Sequence, residues 1–348
     1  METRKHYDSI DGLRAFSAIG IICMHILVNS EYYLNGIIFD AVIPFFTNFV
    51  FLFMIISGFS MCCGYYEKVS NRQITLSQFY EKRYAKIWPF FAILVVLDIV
   101  LQPSLITIME GFADLTLAFA LLPNPNISVI GVGWTLGVIF IFYMLFPFFC
   151  FLLDNKKRGC FVLFITIVLN YMCNIFFMNA AHVVEDYSAR SNFLYCSMYF
   201  LAGGLIYLYR QDLEDFVSRF HTIFLIFCVL ITVVYFIISE DFLKYGTNEI
   251  GLLIFFSCWL IYAIGSSGVI LNNRITKFIS SVSMEIYLCH MMVFRLLERI
   301  HMNYLFGKGV IAYAIMVIFV LVGAIVFSIF IKSILSLVSE KLQRKDLV

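Results

Sequence analysis

Charged residues are scarce in this chain: they make up 14% of 348 positions, against about 25% in ordinary soluble domains. Apolar residues make up 62%. That imbalance excludes a water-soluble globule, which could not hide so much apolar surface, so lipid must cover much of it. The chain also lacks a long Pro/Gly/Ser linker, a low-complexity tail and a polar stretch of domain size. One domain over residues 1–348 is therefore expected, with no separate soluble domain. The ten Cys contain no C-x-x-C pair and no Cys/His metal spacing. They fall almost wholly inside apolar runs, as at Cys62, Cys63, Cys150, Cys160 and Cys258, and read as small core hydrophobes. No metal and no nucleic-acid partner is expected, and the net charge of +1 points to no acidic ligand. Nothing in the sequence sets an oligomeric state.

What is present is a series of long apolar runs. A spanning helix needs about 20 mostly apolar residues. Runs near that length fall at 10–28, 41–65, 88–108, 130–153, 159–178, 191–209, 221–239, 249–267, 279–297 and 309–332. The shorter run 112–122, before Pro123-Asn124-Pro125, is too short to cross and reads as re-entrant or interfacial. The first run resembles a signal-peptide core. It holds Arg14 and His25, however, and no small-residue cleavage pattern precedes Asn29-Ser30-Glu31, so it is kept as a span.

The expected fold is an all-α polytopic bundle of about ten spans, with both termini cytoplasmic and the chain multi-pass in the cell membrane. With the N-terminus inside, all but five of the 24 Lys and Arg fall on the cytoplasmic side. The five outside are Arg190, Lys244, Arg295, Arg299 and Lys308. Letting 112–122 cross would reverse every later loop and spoil that bias.

Ionisable groups within spans are costly, so each calls for an explanation. Arg14 and His25 are eleven residues apart, about three helical turns, so they share one face roughly 16 Å apart in depth. Arg14 then sits near the cytoplasmic rim and His25 near mid-bilayer. An anion held at the rim could present its far end to the imidazole. Equally, Arg14 snorkels and His25 is a polar tie between helices. In the run 279–297, Ser283, Tyr287 and His290 form a polar stripe at i, i+4 and i+7, either a lined cavity or a hydrogen-bonded seam. Glu285 lies off that stripe and should serve another contact. Asp98, Asn170 and Asn174 read first as helix-to-helix ties. The segment 78–89 reads as a basic, aromatic boundary loop, which is either an ordinary interface belt or a phosphate-binding rim.

Several of these segments together resemble one known family. Asp11-Gly12-Leu13-Arg14-Ala15 followed by His25 resembles the Arg-x10-His opening of the bacterial acyltransferase family 3 membrane domain. Ser57-Gly58-Phe59 resembles its small-residue turn, and 79–89 its aromatic-basic loop ending in Pro. Gly133-Trp134-Thr135-Leu136 with Phe142-Tyr143 and Pro147 resembles its Trp-Ser/Thr-Leu stretch. Ser283 to His290 resembles its Ser-x-x-x-Tyr-Leu-x-His helix. The matches keep the family's order over about residues 7–335.

The resemblance implies an O-acyltransferase that moves an acyl group, usually acetyl, from cytoplasmic acyl-CoA to a hydroxyl of a cell-surface or secreted carbohydrate. It gives Arg14 and His25 the catalytic-motif role and Arg83 a part in holding the donor. His290 carries over only as a motif residue. One departure is Gly137-Val138-Ile139, where many members have a Glu; its role is unfilled or passes to a residue such as Glu285. No appended esterase-like domain is expected.

On this reading the donor is acetyl-CoA, with Arg14, Arg83 and Lys86 on its phosphates. His25 acts as general base on the acceptor or carries the acyl group briefly. Tyr187, Arg190 and Asn192 at the mouth of the run 191–209, together with Tyr287, His290 and Glu285, are the expected acceptor contacts. The rival reading is a multi-span transporter or flippase of a glycan or small polar substrate. Such a protein would also carry polar residues at mid-depth, although no half-to-half repeat is visible.

Overall fold

The computed structural model describes residues 6–121, 130–179, 181–183, 188–237 and 247–345. The described regular structure is helical throughout. Six helices are long and apolar enough to cross a membrane: Asp8–Val28, Ile38–Ser70, Leu76–Leu101, Lys156–Phe177, Asn248–Gly265 and Val310–Glu340. Two bent pairs raise the number to eight if each is one crossing. Trp134–Met144 and Phe146–Leu152 meet at 60°, and Arg210–Arg219 and His221–Ile237 at 101°. The runs at 191–209 and 279–297 form shorter helices, Phe193–Leu208 and Ser283–Arg299. The chain is thus a multi-pass helical membrane protein.

The first helix, Asp8–Val28, lies inside the bundle. Two thirds of its apolar window is buried (67%), against 17% for Lys156–Phe177, which lies at the periphery. A polar stripe on this first helix therefore faces protein, not lipid. Two glycines let neighbouring helices meet: Gly58 rests on the backbone oxygen of Phe200, and Gly203 on that of Ile55. A Cβ at either position has no room. Ser57-Gly58-Phe59 is accordingly a close approach within a continuous helix rather than a turn.

The segment 78–89 also differs from the sequence expectation. It is helix, not loop, because Thr75 and Gln78 form a reciprocal capping box that starts Leu76–Leu101. Pro89 sits within that helix, a position tolerated in spans where neighbouring helices support the backbone. After Leu101 the chain breaks and restarts as the short helix Leu105–Leu115, whose Ser104 oxygen accepts from Thr107 N at 3.0 Å. Eleven residues rise only about 16 Å, half of the hydrocarbon core. The run 112–122 is therefore not one element: the helix ends at Leu115, a short turn covers Phe119–Leu121, and Pro123-Asn124-Pro125 lies outside the described residues.

Asn170 is a tie between helices, its Nδ2 donating to the Tyr195 oxygen at 2.8 Å. All ten Cys are free thiols and most are buried.

Candidate active site

A cavity of about 550 Å³ opens between Asp8–Val28, Phe49–Met61, Leu76–Leu101, Trp134–Met144, Ser283–Arg299 and the last helix. Four cationic side chains line it, Arg14, Arg83, Lys86 and Lys332, against one carboxylate, Glu285. An excess of cations on one cavity wall attracts anions.

Each cation is held differently. Arg14 Nη2 donates to Ser60 Oγ at 2.6 Å, and its Nη1 lies 3.4 Å from Asp11 Oδ1. Asp11 is itself fixed by Ser280 Oγ at 2.7 Å and His6 Nε2 at 3.0 Å, so it neutralises Arg14 only in part. Arg83 has no carboxylate partner among the described residues. Its Nη2 donates to Tyr65 OH at 2.7 Å, its guanidinium lies 4.6 Å from the Tyr65 ring centroid, and its buried Nε has no partner. Lys86 has no ion pair among the described residues. Lys332 pairs with Glu285 at 3.1 Å. Glu285 thus meets the other contact expected of it, and does so on the cavity wall.

Tyr287 also lines the cavity. Its hydroxyl lies 2.8 Å from Thr135 Oγ1 and 3.0 Å from the Val132 oxygen, fastening the start of Trp134–Met144 to Ser283–Arg299. Beyond it the two histidines meet. His25 Nδ1 lies 2.9 Å from His290 Nε2, and the rings meet edge to edge with centroids 5.0 Å apart and planes 25° apart. His290 is fully buried, with Nδ1 2.7 Å from the Tyr287 backbone oxygen, whereas His25 keeps a partly exposed edge.

The stripe expectations are met unevenly. Ser283 and Tyr287 line the cavity; His290 lies past it. Arg14 lines the cavity, but His25, three turns along the same helix, is not among its lining residues. Tyr287, Thr135 and Phe53 are among the lining residues. Ile139 lines the cavity and Gly137 packs on Phe119, so no carboxylate stands there.

The residues expected at the acceptor mouth do not line this cavity. Arg190 donates to Thr47 O at 2.9 Å and Asn48 Oδ1 at 3.2 Å, beside the start of Phe49–Met61, the opposite end of that helix from Ser60. Asn192 caps Phe193–Leu208, its Oδ1 accepting from Leu194 N at 2.9 Å. Tyr187 lies outside the described residues.

Sequence reasoning missed Lys332, Tyr65, Ser60 and Tyr143 as cavity residues. Lys332 was the most legible of these: the one cation in the apolar stretch 310–339 of the helix Val310–Lys345 must find a polar environment. His6, Asp8 and Asp11 are close enough to hold a metal ion, but Asp8 is paired with Lys277 at 3.0 Å and Asp11 with Arg14.

Compared with known families, residues 7–332 match the family 3 model described as an acyltransferase domain. No curated protein and no solved structure matches the chain.

Proposed function

The chain belongs to acyltransferase family 3, and from that premise we propose that it is a plasma-membrane O-acyltransferase using cytoplasmic acetyl-CoA and a carbohydrate hydroxyl. The observation that carries the donor assignment is the lining charge of the cavity, four cations against one carboxylate. Arg83 and Lys86 have no carboxylate partner among the described residues, so donor phosphates would complete their pairing.

The nucleotide end sits among Arg14, Arg83 and Lys86, and the pantetheine arm runs toward Tyr287. Transfer needs the thioester to pass the Tyr287–Thr135 fastening and reach His25, one helical layer beyond. His25 takes the hydroxyl proton as the acceptor oxygen bonds to the thioester carbonyl carbon. The carbon–sulfur bond breaks, and the proton returns to sulfur, giving the ester and free CoA. A thioester is already activated, so proton removal and orientation are the main demands on the protein.

In this reading both termini are cytoplasmic and the chain crosses the bilayer ten times, with the short helix Leu105–Leu115 not crossing. The acceptor comes from the opposite side, where Arg190 and Asn192 lie.

Two measurements separate this from the transporter alternative. Purified protein in vesicles should release CoA from acetyl-CoA only when a glycan acceptor is present, and surface glycan from cells lacking the protein should have lost an ester. Substrate counterflow without any CoA release would favour the carrier and sink the enzyme.

A further inference from the structure

The imidazole pair has a direction, and one backbone oxygen sets it. His290 Nδ1 lies 2.7 Å from the Tyr287 carbonyl oxygen, which can only accept, so Nδ1 carries the hydrogen. No carboxylate among the described residues is bonded to either ring. A bare charge at this depth costs a few kcal/mol, so both rings are neutral. The other nitrogen of a neutral imidazole is a lone pair, so His290 Nε2 accepts. Its partner at 2.9 Å is His25 Nδ1, which must then donate. That leaves the lone pair of His25 on Nε2.

We propose that His290 is a positioning residue that holds His25 in its Nδ1-protonated tautomer, making Nε2 the basic nitrogen. The inference deepens the acyl-transfer reading above and rests on it. His290 stands where a base is ordinarily oriented by a third group, with a peptide carbonyl replacing a carboxylate as the final acceptor. The two rings meet edge to edge, with centroids 5.0 Å apart and planes within 25°, so the bond lies close to both ring planes, as an N–H···N bond requires. When Nε2 takes the acceptor proton, the imidazolium still donates from Nδ1 to His290, so no bond in the relay is broken. The proton on Nε2 then passes to the departing sulfur. Because Tyr287 lines the cavity and its carbonyl bonds His290, one residue joins donor cavity and base.

The test is nitrogen NMR on the full-length protein in lipid nanodiscs with 15N-labelled histidine, the His25 signals being identified by their loss in His25→Gln. Wild type should show His25 protonated at Nδ1. His290→Phe, which cannot accept, should shift His25 toward the Nε2-protonated form. His290→Gln, whose amide oxygen can accept, should preserve the wild-type tautomer. In turnover, His290→Phe should lower kcat about 100-fold with KM for acetyl-CoA unchanged, and His290→Gln should recover part of the loss.

A wild-type His25 protonated at Nε2, or a tautomer that ignores His290→Phe, would overturn the proposal. If His290→Phe does not accumulate, the wild-type and His290→Gln spectra still decide it. The predicted tautomer in a protein that never releases CoA would leave the relay standing and remove the acyl-transfer reading instead.

Discussion

His25 and His290 are 265 positions apart in the chain, yet their ring nitrogens stand 2.9 Å from each other. The contact joins Asp8–Val28 to Ser283–Arg299, and the same two helices bring Arg14, Glu285 and Tyr287 to the basic cavity. The basic cavity and the imidazole pair are thus successive layers of one helix interface, and a change in one layer should have a readable effect on the other.

Arg83 is the cation with most to gain from a phosphate. Arg83→Ala should raise KM for acetyl-CoA tenfold to a hundredfold, since a hydrogen bond to a charged group contributes about 1.5–3 kcal/mol. Its kcat should change little. Steady-state kinetics at fixed acceptor checks this, and an unchanged KM would remove Arg83 from the donor site.

Glu285 is the one negative charge on the cavity wall, paired with Lys332 at 3.1 Å. Glu285→Gln releases Lys332 for the donor, so KM for acetyl-CoA should fall several-fold and its salt dependence should steepen. A collapse of kcat at unchanged KM would instead put Glu285 in the reaction, filling the role that no carboxylate at 137–139 can take.

Gly203 has no space for a side chain against the Ile55 backbone oxygen. Gly203→Ala should cost roughly 1–3 kcal/mol, the usual range for overpacking, and Gly203→Val more. A thermal melt in detergent measures it. By contrast, Gly309 has nothing near its built Cβ, and Gly309→Ala should leave the melt unmoved.

The proposed topology is open to reporter fusions. A reporter that works only in the cytoplasm should be active when joined after Lys157 or Lys277 and silent after Lys308. The reverse pattern would invert the chain and put the basic cavity on the wrong side for CoA.

Much of the bundle was legible because long apolar runs and lone buried charges are local signals. Arg14, Arg83, Lys86, Glu285 and Tyr287 could be singled out from sequence, and one cavity gathers all five. The partnership of His25 with His290 was not legible, because no periodicity on one helix says which other helix it faces. Lys332 was counted only as a cytoplasmic charge, since its pairing with Glu285 depends on the same packing. Arg190 and Asn192 looked like acceptor contacts by composition, yet both also have helix-end partners: one braces Thr47 and Asn48, the other caps Phe193–Leu208. The segment 78–89 was misread as a loop because its many charges and aromatics masked the Thr75–Gln78 capping box.

Most depends on the imidazole of His25 removing the proton of the acceptor hydroxyl while the donor is bound at the basic cavity. Ester formation and acetyl-CoA binding, measured together on wild type and His25→Gln in lipid vesicles, address it most directly. The account predicts that His25→Gln binds acetyl-CoA with wild-type affinity and forms no ester; ester formation at the wild-type rate would contradict it.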